Sequence, residues 1–238
     1  MSDADNGRLL CVMDSIEITI LRTGAATAVA AKYLSRPNAS VVTVFGCGNQ
    51  GKISIRMLSR VRRLKMVYVY DVDRSAADRL VTELQLQLDF PVVAVDDPSH
   101  VLNDSDIVVT CTPSKKAFLG RENIRPGTFI AAVGADSETK QELEPSLLRS
   151  SKVVADVIEQ SATIGDLHHA IEKGLMQRHD VFAELGEIIC GKKSFDPHND
   201  GTVIFDSTGM ALQDVAAASI VHKKAVNLNL GVSLNFNE

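Results

Sequence analysis

The stretch Ser40–Asp73, SVVTVFGCGNQGKISIRMLSRVRRLKMVYVYDVD, decides the fold of this 238-residue chain. It opens with an apolar, β-branched run at Val41–Phe45 that has no helical period and suits a strand buried on both faces. A glycine-rich turn follows, then apolar residues at helical spacing, then a second apolar run at Met66–Tyr70. The pattern predicts a strand, a tight turn, a helix and a second strand, which is an opening βαβ unit.

The turn Gly46-Cys47-Gly48-Asn49-Gln50-Gly51 has the spacing G-x-G-x-x-G, and Asp71 ends the second strand about 20 residues later. In such a fingerprint Gly46 permits the turn, Gly48 lets a pyrophosphate approach the backbone, and Gly51 lets the helix pack closely. The helix N-terminus offers free N–H groups to phosphates. Asp71 can accept both ribose hydroxyls and would repel a 2′-phosphate, which favours NAD over NADP. The alternative is a glycine turn in an unrelated α/β protein.

Composition sets the class of protein. Hydrophobic residues make up 45% and charged residues 23% of the chain, as in globular proteins. The net charge of −5 and the lack of a basic block argue against a nucleic-acid partner, and the apolar runs are too short to cross a membrane. The acidic N-terminus does not resemble a signal peptide. Cys11, Cys47, Cys111 and Cys190 are scattered, so we expect reduced thiols in a cytoplasmic protein, with no disulfide and no metal site.

Apolar runs and helical patterns alternate along the rest of the chain, which predicts an α/β fold with a doubly wound, mostly parallel Rossmann-type sheet. The predicted later strands are Pro91–Val95, Ile107–Cys111, Thr128–Val133, Ser151–Val157 and Thr202–Phe205. The predicted helices besides the one after the glycine turn are Ile16–Leu34, Arg74–Leu88, Asp97–Leu102, Glu159–Leu175, Val181–Ile189 and Ala211–Ala225. Leu9–Met13 is predicted as a strand without local partners, and the weakly alternating tail Val226–Glu238 is predicted to pair with it.

Two polar positions follow predicted strands at the edge where ligands of doubly wound sheets bind. Thr112 comes just after the fourth strand and is expected to touch the cofactor; the alternative is a hydroxyl that only caps the following turn. Asp136 follows the fifth strand and a Gly-Ala pair, and it is expected to face the crevice where a nicotinamide would lie. The alternative for Asp136 is a helix N-cap, and spacing does not separate the two readings.

Three further groups stand out. The segment Asp206-Ser207-Thr208-Gly209 joins a strand end to a helix start and suits the nicotinamide ribose. Arg22 stands among small apolar residues and needs an anion if it is buried; the alternative is a structural ion pair with Asp or Glu. His168 and His169 are adjacent on a predicted helix and should point to different faces, so a two-histidine metal site is not expected.

These blocks together resemble the ornithine cyclodeaminase/μ-crystallin family over about residues 7–225. The resemblance rests on five blocks in the same order, together with Asp71: Arg22-Thr23-Gly24-Ala25-Ala26, the glycine turn, Thr110–Thr112, Val133-Gly134-Ala135-Asp136 with Lys140 and Glu142-Leu143, and Asp206-Ser207-Thr208-Gly209 with Gln213-Asp214. Five ordered blocks are far more specific than the glycine turn alone.

The resemblance implies roles for individual positions. It makes Asp136 the catalytic acid/base and Arg22 the group that contacts the substrate carboxylate. Thr208 closes over the substrate. The cofactor residues implied are Gly46, Gly48, Asn49, Gln50, Gly51, Asp71, Thr112, Ala131, Ala132, Val133, Lys140 and Ser207.

The resemblance also implies an activity and a domain plan. The expected enzyme is an NAD(H)-dependent oxidoreductase or cyclodeaminase acting at the C–N bond of an amino acid or imine; the alternative is a non-catalytic, μ-crystallin-like dinucleotide-binding protein. Residues 1–35 are expected to be the remnant of an N-terminal substrate and dimerisation domain plus a linking helix. Residues 36–209 form the NAD-binding domain, and residues 210–238 the closing helix and returning tail. The family forms homodimers, and a separately encoded N-terminal half is a further expected partner.

Overall fold

The computed structural model describes residues 1–198 and 201–234. The chain divides into two compact units. Residues 23–209 form the larger unit, and residues 1–22 form the smaller one together with the segment that starts at Met210.

The larger unit is built on a parallel sheet with eight strands in the described residues. In chain order these strands are β1 Val41–Phe45, β2 Met66–Tyr70, β3 Val92–Ala94, β4 Ile107–Thr110, β6 Phe129–Ala132, β8 Lys152–Ala155, β9 Ala183–Glu184 and β10 Val203–Asp206, whereas β5 Lys115–Leu119 and β7 Gln141–Leu143 belong to a second sheet. Across the larger sheet the order is β3-β2-β1-β4-β6-β10-β8-β9. The strand order reverses between β1 and β4, so the chain winds outward in both directions from that point. Ligands of such sheets bind beyond the carboxyl ends of the strands at this reversal. The expected Rossmann-type architecture is confirmed.

Both faces of the sheet are covered. Val42 and Val44 of β1 pack in one apolar cluster, whereas Phe45 packs in a second cluster. The same alternation runs through β4, β6, β8 and β10. Successive side chains of a strand point to opposite faces, so each central strand serves two cores and must be apolar at most positions. That requirement is the physical reason why continuous apolar runs in the sequence became strands.

Helices connect the strands. Their bounds are α1 Ile16–Leu34, α2 Asn49–Leu58, α3 Arg74–Gln85, α4 Ser99–Leu102, α5 Pro145–Arg149, α6 Ile158–Ile164, α7 Asp166–Glu172, α8 Leu185–Ile189 and α9 Ala211–Asn227. Short 3₁₀ turns occupy Arg121–Asn123 and Arg178–Asp180. None of the described helices is long and apolar enough to span a membrane.

Two predicted helices are wrong in detail. The single helix expected over Glu159–Leu175 is broken at Gly165, whose extended backbone separates α6 from α7. The buried Asp206 carboxylate accepts hydrogen bonds from the backbone N–H groups of Asp166 and Leu167, so it starts the second helix. The helix expected over Val181–Ile189 begins with the short strand β9, and only its second half is helical.

The helix that an N-cap at Asp136 would begin is replaced by a turn and a strand. Residues 137–139 form a turn, and Gln141–Leu143 is strand β7, which pairs with β5, Lys115–Leu119, in a separate two-stranded sheet. Asp136 therefore begins no helix, and its reading as an N-cap is excluded. Local spacing did not indicate this small sheet because its two strands meet only through a tertiary pairing between segments over 20 residues apart.

The expected terminal strand pair is not observed. Residues 9–13 form no strand, and the pairing that involves them is a single antiparallel bridge between Ser2 and Leu9. In the tail, α9 continues to Asn227 and residues 228–234 contain no strand. The last residues of the predicted tail strand, 235–238, lie outside the described residues.

Candidate functional site

The glycine turn after β1 combines two crowded glycines with one open glycine. Gly46 has a positive φ of +101°, and a Cβ atom there would lie 2.7 Å from the carbonyl oxygen of Cys111. A Cβ at Gly51 would lie only 2.0 Å from the carbonyl oxygen of Gly46. A Cβ at Gly48 would meet no atom within 4 Å. Gly46 and Gly51 are thus required by the fold, whereas Gly48 borders free space that a ligand can enter.

The start of α2 faces the same turn. Gly48 is its N-cap and provides no side-chain hydrogen bond, so the first N–H groups of the helix have no capping side chain. The side-chain oxygen Oε1 of Gln50 is buried and has no hydrogen-bond partner among the residues that the structure describes. Uncapped N–H groups beside an open glycine suit a pyrophosphate. These residues fit a bound dinucleotide.

Asp71, at the end of β2, lies next to the turn. Its Oδ2 accepts a hydrogen bond from the backbone N–H of Cys47 at 2.8 Å, and its Oδ1 accepts one from the N–H of Asp73 at 2.9 Å. A carboxylate has about four lone-pair sites, so two contacts leave capacity for ribose hydroxyls. The same carboxylate, after burial, helps to raise the pKa of Cys47 to about 12, which keeps that thiol protonated.

The loops after β4 and β6 are joined by one buried carboxylate, that of Glu142 on β7. Its Oε1 accepts hydrogen bonds from the backbone N–H of Thr112 at 2.6 Å and from the hydroxyl of Thr112 at 2.7 Å. Its Oε2 accepts one from the N–H of Gly134 at 3.1 Å. The Thr112 hydroxyl also accepts a hydrogen bond from the N–H of Ser114, as expected of a turn cap. Contact of Thr112 with a cofactor stays a prediction.

Glu142 is the first of three buried carboxylates in series. Asp166 Oδ1 accepts hydrogen bonds from the N–H groups of Glu142 and Leu143, and Asp206 accepts those of Asp166 and Leu167. Burial, reinforced by the Asp166 charge, raises the pKa of Glu142 to about 7. Burial also raises the pKa of Asp166, to about 6, and that of Asp206. Three carboxyl groups thus titrate well above their ordinary range at this edge of the sheet.

Asp136 and Lys140 lie on the segment between Gly134 and Glu142. Lys140 Nζ donates a hydrogen bond to Asp136 Oδ1 at 2.6 Å. The Asp136 side chain is 60% exposed, so a small molecule in the solvent can reach its carboxylate. The structure therefore places the predicted acid on an accessible loop with a lysine beside it.

Another buried acid, Asp156, organises the segment after β10. It follows β8 directly, and its Oδ2 accepts hydrogen bonds from the Ser207 hydroxyl at 3.1 Å and from the Gly209 N–H at 2.7 Å. Its Oδ1 accepts one from the Thr208 hydroxyl at 3.4 Å. The N–H of Ser207 also donates to the carbonyl of Ala132. The predicted residues Ser207 and Thr208 are therefore held beside the end of β6.

The end of β6 carries the other predicted wall residues. Ala131 and Ala132 are fully buried, and Val133 is half-buried with its N–H donating to the carbonyl of Thr110. Small side chains at this strand end leave the loop backbone close to the neighbouring strands. Their proposed contact with a nicotinamide rests on the resemblance.

In the smaller unit, Arg22 forms the structural ion pair that was the alternative reading. Its Nε donates to Asp214 Oδ1 at 3.1 Å, and its Nη1 donates to Gln213 Oε1 at 3.2 Å. Thr19 also donates to Asp214. A substrate carboxylate would have to compete with Asp214 for this guanidinium.

The two adjacent histidines lie closer together than predicted. The rings of His168 and His169 meet edge to face with centroids 5.2 Å apart, and Glu172 lies within 4.8 Å of their nitrogen atoms. His169 Nε2 is hydrogen-bonded to the Lys140 carbonyl at 2.8 Å. The two rings are therefore not directed apart as expected, and His169 links α7 to the Asp136 loop.

Sequence reasoning did not assign roles to Glu142, Asp156 and Asp166. Asp156 directly follows a buried strand, which is the signal that singled out Asp71 and Asp206, and that signal could have found it. For Glu142 and Asp166 the neighbouring sequence gives no sign of a buried carboxylate, because each lies in a polar segment that is typical of a solvent-exposed surface.

Comparison with known proteins identifies the family of this chain. The sequence profile of the ornithine cyclodeaminase/mu-crystallin family matches residues 1–229. An alanine dehydrogenase from Archaeoglobus fulgidus is 39% identical over 236 residues, which are 99% of this chain and 72% of that protein.

Solved structures agree with this match. An archaeal alanine dehydrogenase dimer with bound NAD has a TM-score of 0.94 at 38% identity and covers 99% of this chain and 72% of its own. A Thermococcus litoralis Δ1-pyrroline-2-carboxylate reductase in complex with NADH and L-proline has a TM-score of 0.94 at 29% identity, with 98% and 72% coverage. The chain belongs to the ornithine cyclodeaminase/mu-crystallin family.

Proposed function

We propose that this chain is an NAD(H)-dependent oxidoreductase or cyclodeaminase that acts on an α-amino acid or the corresponding imine. One observation carries the proposal. The open glycine turn, which fits a dinucleotide, and the accessible Asp136–Lys140 pair follow β1 and β6, so they lie at the same edge of one parallel sheet. Relatives over nearly the whole chain are named as alanine dehydrogenase and imine reductases.

The nucleotide is proposed to bind along the turn and the end of β2. The free N–H groups of α2 would bind the pyrophosphate, and Asp71 would bind the adenine ribose and repel a 2′-phosphate. NAD is therefore preferred over NADP. The bound nicotinamide would supply or accept hydride at the substrate α-carbon.

Asp136 is proposed as the acid/base. In imine reduction its carboxyl group would give a proton to the substrate nitrogen, and in amine oxidation its carboxylate would take one. Lys140 holds Asp136 Oδ1 by a 2.6 Å contact and so limits its rotation. A dehydrogenase and a cyclodeaminase need the same proton transfer at the substrate nitrogen, so Asp136 with Lys140 could serve either reaction.

Two further residues are proposed to bind substrate. The Thr208 hydroxyl, held by Asp156, is at the strand end next to the proposed site. Arg22 would bind the substrate carboxylate by a two-pronged contact in exchange for its pairing with Asp214.

The test is a spectrophotometric assay. NADH is mixed with the protein and either pyruvate plus ammonia or Δ1-pyrroline-2-carboxylate, and NADH absorbance is followed; ornithine with NAD is tested for ammonia release. Turnover with any of these supports the proposal. NADH binding without turnover on any of them would contradict it and favour a non-catalytic dinucleotide-binding protein.

The variant Asp136→Asn tests the acid/base role. It keeps the shape of the side chain but cannot take up or release the proton, so kcat should fall by about 10²–10⁴-fold while NADH affinity stays within about 3-fold. Glu138→Asn, which removes an exposed carboxylate two residues away, is the control and should retain most activity. Equal activity of Asp136→Asn and the parent would remove Asp136 from this role.

A further inference from the structure

Glu142 is the group that closes the loop carrying Asp136. The loop runs from Gly134 to Glu142, and the Glu142 carboxylate accepts a hydrogen bond from the Gly134 N–H at 3.1 Å across its base. Within the loop, Lys140 contacts Asp136 at 2.6 Å, and the Lys140 N–H donates to the Ser137 carbonyl at 3.0 Å. The exposed Asp136 is therefore held by contacts within the loop, and the buried side chain of Glu142 joins the two ends of that loop.

The same carboxylate ties this loop to the neighbouring one. Two of its contacts go to Thr112, at 2.6 and 2.7 Å, and the Gln141 N–H donates to the Ser114 carbonyl at 2.9 Å. β4 and β6 are adjacent strands, so these two loops leave the sheet side by side. Glu142 thus links both walls of the proposed nicotinamide site without being accessible itself, since it is fully buried.

The Glu142 carboxylate packs closely against the backbone of Gly134. A Cβ atom at Gly134 would lie 2.5 Å from the carboxyl carbon of Glu142. The three hydrogen-bond donors that contact this carboxyl group use both of its oxygens: two donate to Oε1 and one donates to Oε2. A carboxyl group keeps an acceptor oxygen at both positions whether it is ionised or protonated, whereas an amide presents an NH2 group at one of them and leaves a donor there without an acceptor. Buried donors left without an acceptor are costly, which makes the linkage specific for an acid.

We propose that Glu142 is a positioning residue for the reaction: it closes the 134–142 loop, fixes that loop to Thr112, and thereby holds Asp136 in place. The proposal rests on the proposed role of Asp136. Glu142 is fully buried and acts through the loop, so its loss should affect the chemical step far more than nucleotide binding at the glycine turn.

The experiment compares Glu142→Gln with Glu144→Gln in the full chain. Glu144 is two residues further on, and its carboxylate accepts a hydrogen bond from the Ser146 hydroxyl, outside the 134–142 loop, so it controls for the substitution itself. Hydrogen–deuterium exchange of peptides covering 134–142 is measured first, because it reports loop closure whether or not a substrate has been found. Exchange in Glu142→Gln should rise by about 10-fold in these peptides and not in β1, β4 or β6.

Kinetics supply the second measurement. Glu142→Gln should lower kcat by about 10²-fold while NADH affinity and substrate KM change by less than about 5-fold, since misplacing a reacting group chiefly affects the transition state. Glu144→Gln should match the parent in both measurements. Absence of turnover in the parent would count against the proposed function, and the exchange data would still decide the role of Glu142.

A milder variant covers the case in which Glu142→Gln does not fold. Valine has the same shape as threonine, so Thr112→Val removes only the hydroxyl, which donates to Glu142 and accepts from the Ser114 N–H. It should raise exchange in 134–142 by about 3-fold. Unchanged exchange in the loop peptides of a folded variant would overturn the proposal. A uniform rise over the whole sheet would also overturn it, because Glu142 would then serve only overall stability.

Discussion

At the scale of single residues, the glycines of the turn serve two different purposes: one is needed for the fold, and another leaves space for a ligand. Gly51 is needed because a side chain would collide with the Gly46 carbonyl at 2.0 Å, whereas Gly48 meets nothing within 4 Å. Gly48 also has an ordinary backbone conformation, with φ of −80°, which any residue can adopt. Its lack of a side chain therefore benefits the ligand and not the fold.

We therefore expect the two alanine variants to fail in different ways. Gly48→Ala should change the free energy of unfolding by less than about 1 kcal/mol but weaken NADH binding by about 10-fold or more. Gly51→Ala should lose about 2 kcal/mol or more of stability through overpacking against backbone. Urea unfolding and NADH fluorescence titration measure the two effects. Loss of stability in Gly48→Ala with unchanged NADH affinity would contradict the assignment of this turn.

At the scale of elements, buried carboxylates provide a helix cap and several loop contacts at the carboxyl edge of the sheet. Asp206 of β10 caps α7, Asp166 of α7 binds the backbone of β7, and Glu142 of β7 binds the loops after β4 and β6. Each contact orders a loop near the proposed site. The cost is that burial raises the pKa of all three groups.

This series makes stability depend on pH in a direction that can be worked out. The folded-state pKa of Glu142, about 7, lies above its ordinary value of 4.5, so folding favours the protonated form. Its stabilising contribution is present below about pH 4.5 and is lost as pH rises through about 7. The free energy of unfolding should therefore fall over this range, by up to roughly 3 kcal/mol from this group.

Urea unfolding at about pH 5 and about pH 8 tests the expectation, and Glu142→Gln isolates the contribution of this group. The variant should show a smaller fall than the parent, because glutamine does not ionise. Asp166 and Asp206 still titrate in the variant, so some fall should remain. An equal fall in the free energy of unfolding in the two proteins would show that Glu142 does not titrate as described.

At the scale of the whole molecule, the smaller unit exposes a large apolar surface. None of the seventeen residues of α9 is buried, and Leu212, Val215, Ile220, Val221 and Val226 are all exposed. Clustered exposed apolar side chains typically mark a protein interface. Contact with a second copy of this chain would remove these side chains from water.

We predict that the purified chain self-associates through this surface. Ile220→Lys should shift the molar mass measured by light scattering towards the monomer at micromolar concentration, because a lysine charge is costly to bury without a partner. Leu86→Lys, at an exposed apolar position in the larger unit, is the control and should leave the mass unchanged. A parent that is monomeric at every concentration would contradict this prediction.

Much of the fold was predictable because its signals are local. The run Val41–Phe45 had to be a strand buried on both faces, and the helix Ile16–Leu34 begins and ends at the residues expected. Predictions failed where a distant residue intervened: the Asp206 carboxylate divides the helix expected over Glu159–Leu175, and the partner strand β5 turns the segment after Asp136 into a strand.

The candidate site divides in the same way. The sequence by itself determined the βαβ unit, the glycine turn and the acid Asp71, because these parts depend on neighbours within one supersecondary unit. Only the tertiary structure decided that Glu142 joins two loops and that Asp156 holds Ser207 and Gly209. These partners are 30 residues apart for Thr112 and Glu142 and 53 for Asp156 and Gly209. The two residues of each pair come together only because parallel strands place their carboxyl ends at one edge of the sheet. No pattern in the sequence around either residue predicts this contact.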